Sequence, residues 1–201
     1  MKNELYQQII DVATEMFLTY RYSKVSMDEL AEKIGISKKT LYNVFENKEK
    51  ILEASVENFI EKIQKEDNEI LLNSQISFPN KVKQYLTLIG TKLSAVSPYF
   101  IADIIHSAPR IWLRVQEYKS EAIFIRFKTL LDDGEKNGFI KKNINKSLAI
   151  LLYASAIESV LNPQFNRYIP DEMRRDLPYS AAGIFEGILK IIFEGIFVSN
   201  L

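Results

Sequence analysis

Along almost the whole chain the apolar positions recur every three or four residues, the spacing of amphipathic helices. Leu5, Ile9, Ala13, Met16, Phe17 and Tyr20 form a first stripe, which stops at Arg21-Tyr22-Ser23. A second helix opens at Ser26, with Glu29 three residues on. In that pairing the serine and glutamate side chains each hold the other's backbone N–H. Its inward face is Met27, Leu30, Ala31 and Ile34. Gly35 supplies a tight turn, Ile36 plugs the core, and Ser37 can cap a short third helix from Lys38 to about Phe45. Leu41 and Phe45 face inward there. Asn47 can cap a fourth helix, whose stripe is Ile51, Leu52, Val56, Phe59, Ile60 and Ile63.

The remainder reads the same way, punctuated by proline and asparagine. Pro79, Pro98, Pro109 and Pro178 each suit a first helical turn, where a missing N–H costs nothing. A long helix is expected from about Arg110 to Gly138. Asn145 can cap the next, ending near Asn162-Pro163, and residues 163–177 read as an irregular connection before a last helix from 178 to about 198. No alternating strand pattern and no internal repeat is visible. The fold class is all-α.

Composition changes the picture in three places. The 201 residues are 47% hydrophobic, enough to fill a core. There is no cysteine, which removes disulfides, thiolate metal sites and cysteine nucleophiles and fits a reducing cytoplasm. The N-terminal residues lead straight into a polar helical pattern without a signal core. The apolar C-terminal run, broken by Lys190 and Glu194, falls short of the ~18 uninterrupted residues of a membrane span. The expected location is the cytoplasm, with no membrane partner. Net charge is zero, 26 basic against 26 acidic residues, so any basic surface must be local. Residues 37–50 carry Lys38, Lys39, Lys48 and Lys50 against Glu46 and Glu49, whereas 51–78 is acidic.

Residues 26–48 hold the constellation with chemical content. Packing through Leu30, Ala31, Ile34, Ile36, Leu41 and Phe45 sets one helix across the other, with Ala31 permitting close approach. This leaves Ser37, Lys38, Lys39, Thr40, Tyr42 and Asn43 outward, a set of hydroxyl, amide and ammonium groups suited to base edges and phosphates. Helix N-termini at Ser37 and near Lys48 favour phosphate as well. The bland alternative is an ordinary solvated face.

Here the sequence resembles the tetracycline-repressor (TetR/AcrR) family of regulators. The resemblance rests on Met27-Asp28-Glu29-Leu30-Ala31, Gly35-Ile36-Ser37, Thr40-Leu41-Tyr42, Phe45 and Asn47-Lys48-Glu49, and it covers residues 5–60. It implies an N-terminal three-helix helix-turn-helix domain over 1–50. Residues 51–201 would form a helical effector-binding and dimerisation bundle, with about nine helices in all. It implies that Ser37, Lys38, Lys39, Thr40 and Asn43 approach bases or backbone, and that Tyr42 and Lys48 hold phosphates. Lys39 and Val44 depart from the family's usual small residue and His or Tyr. The implied activity is that of a ligand-responsive regulator, a repressor released from a palindromic double-stranded DNA operator by a small apolar or aromatic molecule. The alternative is an all-helical carrier or enzyme with a similar N-terminus.

Enzyme chemistry has little footing: one isolated histidine, no Gly-rich phosphate loop and no spaced metal motif. Neither cofactor nor metal is expected, and Asp132, Asp133 and Glu135 read as surface charges. Phe100, His106, Trp112, Phe127 and Tyr153 are the candidate effector contacts, with a packed core and a bystander histidine as the competing reading. Ala154, Ser155, Ala156 and Ser159, and Ala181, Ala182, Gly183, Gly187 and Gly195, are small residues on the last two long helices. They fit either close packing within one subunit or a homodimer contact through 145–162 and 178–198, the pairing that the resemblance implies.

Overall fold

The computed structural model describes residues 2–161 and 168–196. The described elements are α1 (Lys2–Tyr20), α2 (Met27–Ile34), α3 (Lys38–Val44), α4 (Lys48–Leu71), α5 (Phe78–Ser94) and α6 (Pro98–Ser107). They continue as α7 (Pro109–Glu121), α8 (Lys128–Lys136), α9 (Lys146–Leu161), α10 (Asp171–Asp176) and α11 (Ala181–Ile196). A 3₁₀ turn, Tyr22–Lys24, follows α1, and a π-helical turn, Ala122–Phe127, lies between α7 and α8 without a break in the chain of helices. The protein is all-α, with an N-terminal helix-turn-helix and a C-terminal helical bundle.

Most boundaries follow from the caps. Ser26 and Glu29 close their reciprocal cap at 2.7 and 3.2 Å, and Gly35 ends α2 in the left-handed region at φ 80°. Asn47 accepts the Lys50 N–H at 2.9 Å and Asn145 the Leu148 N–H at 3.2 Å, starting α4 and α9. Gly138, at φ 77°, lets the chain turn after α8.

Three expectations change. Tyr20 is 61% exposed, so the α1 stripe ends at Phe17, and the next ring into the core is Tyr22, edge-on to Phe17 at 5.3 Å. Pro178 does not start α11. Ser180 does, accepting the Gly183 N–H at 3.0 Å, while Pro178 packs where a Gly183 side chain would stand. The connection expected over 163–177 contains α10, whose acidic first turn (Asp171, Glu172) and basic last turn (Arg174, Arg175) complement the helix dipole. Residues 162–167 and 197–201 lie outside the described residues, and so do the end expected near Asn162-Pro163 and the side-chain surroundings of Gly195.

The chain forms two compact units. The first is Met1–Gln64 with Ser97–Gln116, and its fully buried side chains include Ile9, Phe17, Leu30, Leu41, Ile51 and Leu52. The second is Lys65–Val96 with Glu117–Leu201, built around Tyr85, Phe127, Leu130, Tyr153, Phe185 and Leu189. In it the Tyr153 ring stacks on Phe127 at 3.8 Å. The division expected at residue 50 falls inside α4, whose first two-thirds belongs to the first unit and the rest to the second.

Candidate nucleic-acid interface

The surface carried by α3 begins with its cap. Ser37 Oγ accepts the Thr40 N–H at 3.0 Å and lies 2.8 Å from the Thr40 hydroxyl, so the two side chains are held together at the helix start. Below them Leu41 is fully buried and Phe45 nearly so, the latter stacked on Tyr6 of α1 at 4.9 Å. Burying one face fixes the other. Ser37, Lys38, Lys39, Tyr42 and Asn43 are exposed, and Thr40 is half-buried.

The two adjacent lysines differ. Lys38 reaches back to Asp28 of α2 at 2.6 Å, and that hydrogen bond, with the carboxylate's charge, raises its ammonium pKa. Lys39 makes no ion pair among the described residues. It therefore presents an unneutralised charge beside the exposed Asn43 amide and Tyr42 phenol.

Lys48 is placed differently from the rest. Its ammonium donates to the carbonyls of Tyr22 at 2.9 Å and Val25 at 2.7 Å, and lies 4.4 Å over the Tyr22 ring. Burial lowers its pKa, while Asp103 and Glu29 pull it up. Two of its three N–H donors thus close the 3₁₀ turn that precedes α2. The same turn is held from α6. Asp103 accepts the Ser23 N–H at 2.7 Å, and the Arg21 guanidinium lies 5.2 Å over the Tyr99 ring. Arg21 itself sits at φ 73°, a costly region for a side-chain-bearing residue. Neither Asp103 nor Tyr22 stood out in the sequence, where an isolated acid and a tyrosine past the end of a stripe carry no pattern.

A sequence profile described as "Bacterial regulatory proteins, tetR family" matches residues 9–55, the span from α1 into α4 that builds this surface. Over that span the chain is similar to the tetR family of bacterial regulatory proteins. The chain is also similar to the uncharacterized HTH-type transcriptional regulator YvaF of Bacillus subtilis strain 168, with 25% identity over 171 residues, 85% of either chain. Its fold matches a TetR/AcrR-family regulator from Thermobifida fusca, at TM-score 0.67 and 21% identity over 94% of this chain and 97% of that one. FadR of Bacillus subtilis, solved in complex with stearoyl-CoA, matches at TM-score 0.62 and 20% identity over 95% and 99% of the two chains. No single described helix is long and apolar enough to cross a membrane.

The five candidate effector contacts are divided between the two units. Phe100 (buried), Trp112 (half-buried) and His106 (exposed, in the last turn of α6) belong to the first unit. Phe127 and Tyr153 belong to the second, where they are packed on each other. The carboxylates read as surface charges are each held by lysine: Asp132 by Lys128 and Lys146, Asp133 by Lys81, Glu135 by Lys146. Sequence reading missed a buried polar cluster in the second unit. Arg126 Nη1 donates to Asp67 at 2.6 Å and to the Tyr118 hydroxyl at 3.3 Å, and Tyr85 and Tyr153 lie within the same electrostatic neighbourhood. One signal could have found it: Arg126 is the lone charge in Ala122-Ile123-Phe124-Ile125-Arg126-Phe127.

Proposed function

We propose that this protein is a ligand-responsive repressor that binds a palindromic operator as a homodimer and is released by a small apolar or aromatic molecule. The observation that carries the DNA-reading part is the two-faced α3, with Leu41 buried and Lys39, Tyr42 and Asn43 together on the open side. Ser37, Thr40 and Asn43 approach base edges and the adjoining backbone, Lys39 and Tyr42 meet phosphate, and Lys38 shares its charge between Asp28 and the duplex. Lys48 acts at the duplex through its third N–H and through the turn that it holds. DNA contact is assigned to residues 1–50, and effector binding and dimerisation to 51–201.

Dimerisation draws support from α9 and α11. Helix α9 is apolar on two faces: Ala149, Ile150, Tyr153, Ala156 and Ile157 are buried, while Leu148, Leu151 and Leu152 remain more than half exposed. A helix apolar all round is normally covered all round. On α11, Ile191 is 76% exposed, and Gly187 has no atom within 4 Å of where a side chain would begin. Pairing α9 and α11 with their copies would cover both, and a two-fold axis there requires two half-sites on one duplex face.

The test is binding to an operator fragment across a salt series, with sedimentation in parallel. A dimer at micromolar concentration whose affinity falls steeply with salt is expected. A monomer with intact DNA binding overturns the dimer, and affinity indifferent to Lys39→Ala and Asn43→Ala together overturns the assignment of α3.

A further inference from the structure

The turn between α1 and α2 is held on both sides by charges from outside it. On its carbonyl side, the Lys48 ammonium of α4 donates to Tyr22 and Val25 at 2.9 and 2.7 Å. On its N–H side, the Asp103 carboxylate of α6 accepts from Ser23 at 2.7 Å. The turn's own backbone bonds are longer, from the Lys24 N–H to Arg21 at 3.2 Å and from the Val25 N–H to Tyr22 at 3.4 Å. Hydrogen bonds with a charged partner are the stronger kind, so the outside groups carry much of the hold. Arg21, which opens the turn, sits at φ 73° and ψ 146°, a region that a side-chain-bearing residue keeps only where its surroundings over-determine it. Its guanidinium lies over Tyr99, one turn of α6 before Asp103.

Asp103 is well supported for this contact. Phe100, Ile101 and Ile104 are buried and anchor α6, and the Ser107 hydroxyl donates to the second carboxylate oxygen at 3.3 Å. Burial pushes its pKa up, but the bonds from Ser23 and Ser107 and the charge of Arg21 outweigh it and hold the group below its ordinary value. It is therefore ionised at neutral pH. As an anion beside Lys48 and Arg21 it lowers the positive potential of this unit, which by itself opposes the approach of DNA. Its hydrogen bond acts the other way. Val25 is buried and Ser26 caps α2 directly after it, so little slack separates the turn from α2, on which α3 packs. Charge and hydrogen bond thus push DNA affinity in opposite directions and can be told apart by sign.

We propose that Asp103 is a positioning residue for DNA binding: from α6 it fixes the Tyr22–Lys24 turn, and through α2 it sets α3 in the orientation that meets the duplex, without touching DNA itself. This rests on the DNA-binding reading of α3 above and adds to it a helix far outside residues 1–50. The working head is then the whole first unit, Ser97–Gln116 included.

The probe is a duplex selected by the full parent chain from a random-sequence pool, titrated with the parent and with Asp103→Ala and Asp103→Asn across a salt series. Asp103→Ala removes charge and acceptor together, whereas Asp103→Asn removes the charge and keeps an oxygen for the Ser23 N–H. Asp103→Ala is expected to bind about tenfold more weakly, the worth of one hydrogen bond to a charged group, although it makes the protein more basic. Its salt slope should equal the parent's, because no phosphate contact is lost. Asp103→Asn should recover most of the affinity. Unchanged or tighter binding by Asp103→Ala overturns the proposal, the tighter result showing that only the charge is felt. Amide NMR spectra of Asp103→Ala without DNA supply a readout independent of binding, and also show that the variant is folded. Shifts are expected to run from Ser23 through α2 into α3, and shifts confined to α6 and Ser23 overturn the proposal. A parent chain that selects no duplex overturns the DNA-binding reading and this role with it. Binding lost in Lys39→Ala/Asn43→Ala but untouched in Asp103→Ala overturns the role of Asp103 alone.

Discussion

The helix-turn-helix and the second unit solve the same problem of polar groups in opposite ways. Around α2 and α3, the Ser26–Glu29 and Ser37–Thr40 caps are made by residues three apart, and the ion pair of Lys38 spans ten residues. The polar groups are satisfied locally and lie near the surface, so the outward face can be presented at little cost. In the second unit, Asp67 and Arg126 are 59 residues apart, the carboxylate fully buried and the guanidinium half-buried. One region is pre-formed for its partner. The other joins distant parts of the chain through a buried ion pair.

The sharpest way to break this contrast is to remove Arg126. Arg126→Met should cost about 3–5 kcal/mol in urea unfolding, because it strands a buried carboxylate. The double variant Asp67→Leu/Arg126→Met should recover most of that loss. Acid should also rescue the single variant. Burial raises the Asp67 pKa above its unfolded value, outweighing the opposing pull of Arg126. The folded state therefore binds the proton more tightly, a stabilisation fully present below the unfolded pKa and lost as pH rises through the folded one. Without Arg126 the upward shift grows, so unfolding at pH 5 should show a smaller deficit than at pH 7.5. An equal deficit at both would mean that Asp67 is not the stranded charge.

Next comes the head. Leu41→Ala, at a fully buried position, should cost about 2–5 kcal/mol and abolish operator binding through loss of the fold of α2 and α3. A variant that melts normally yet fails on DNA would show instead that Leu41 tunes the helix crossing.

A smaller effect is expected at Gly35. Nothing lies within 4 Å of where its side chain would start, so Gly35→Ala should cost only the left-handed backbone term, about 1–2 kcal/mol, with m-value and DNA specificity unchanged. A larger loss would place an unrecognised contact at the turn.

The smallest stability change belongs to Lys39. Lys39→Ala should leave the urea midpoint within about 0.5 kcal/mol of the parent while reducing the salt slope of DNA binding by about one unit. A parallel measurement on Lys48→Ala separates the two lysines. It should lower thermal stability by about 1–3 kcal/mol, since it leaves the Tyr22 and Val25 carbonyls without a donor. Unchanged stability with a flatter slope would return Lys48 to a purely phosphate-holding role.

The same contrast explains what could be read in advance. Caps at Ser26, Ser37, Asn47 and Asn145, and the turn at Gly35, are written within three or four residues, so their elements were placed correctly. The outward set on α3 followed from burying Leu41 and Phe45. Pairings across many residues left no such trace. Asp67 sits in the polar run Glu66-Asp67-Asn68-Glu69, indistinguishable from a solvated face, yet it is fully buried and paired with Arg126 of the π turn. Nothing near Lys48 in sequence points to Tyr22, 26 residues back. Phe127 and Tyr153 were visible as aromatics, but not as a stacked pair.

Gly187 has a consequence for pairing fidelity. An exposed helical glycine forgoes about 1 kcal/mol relative to alanine, and no neighbour among the described residues demands it. In a cell holding several chains of this fold, each offering two similar helices, mismatched subunits would carry mismatched reading heads. If α11 pairs with its copy, as proposed above, the bare backbone at Gly187 would stand at that contact, and a side chain placed there would have to be matched by the partner. Replacing Gly187 by leucine, matched by a cavity in a second chain, would be the natural way to build regulators that pair with each other and not with themselves.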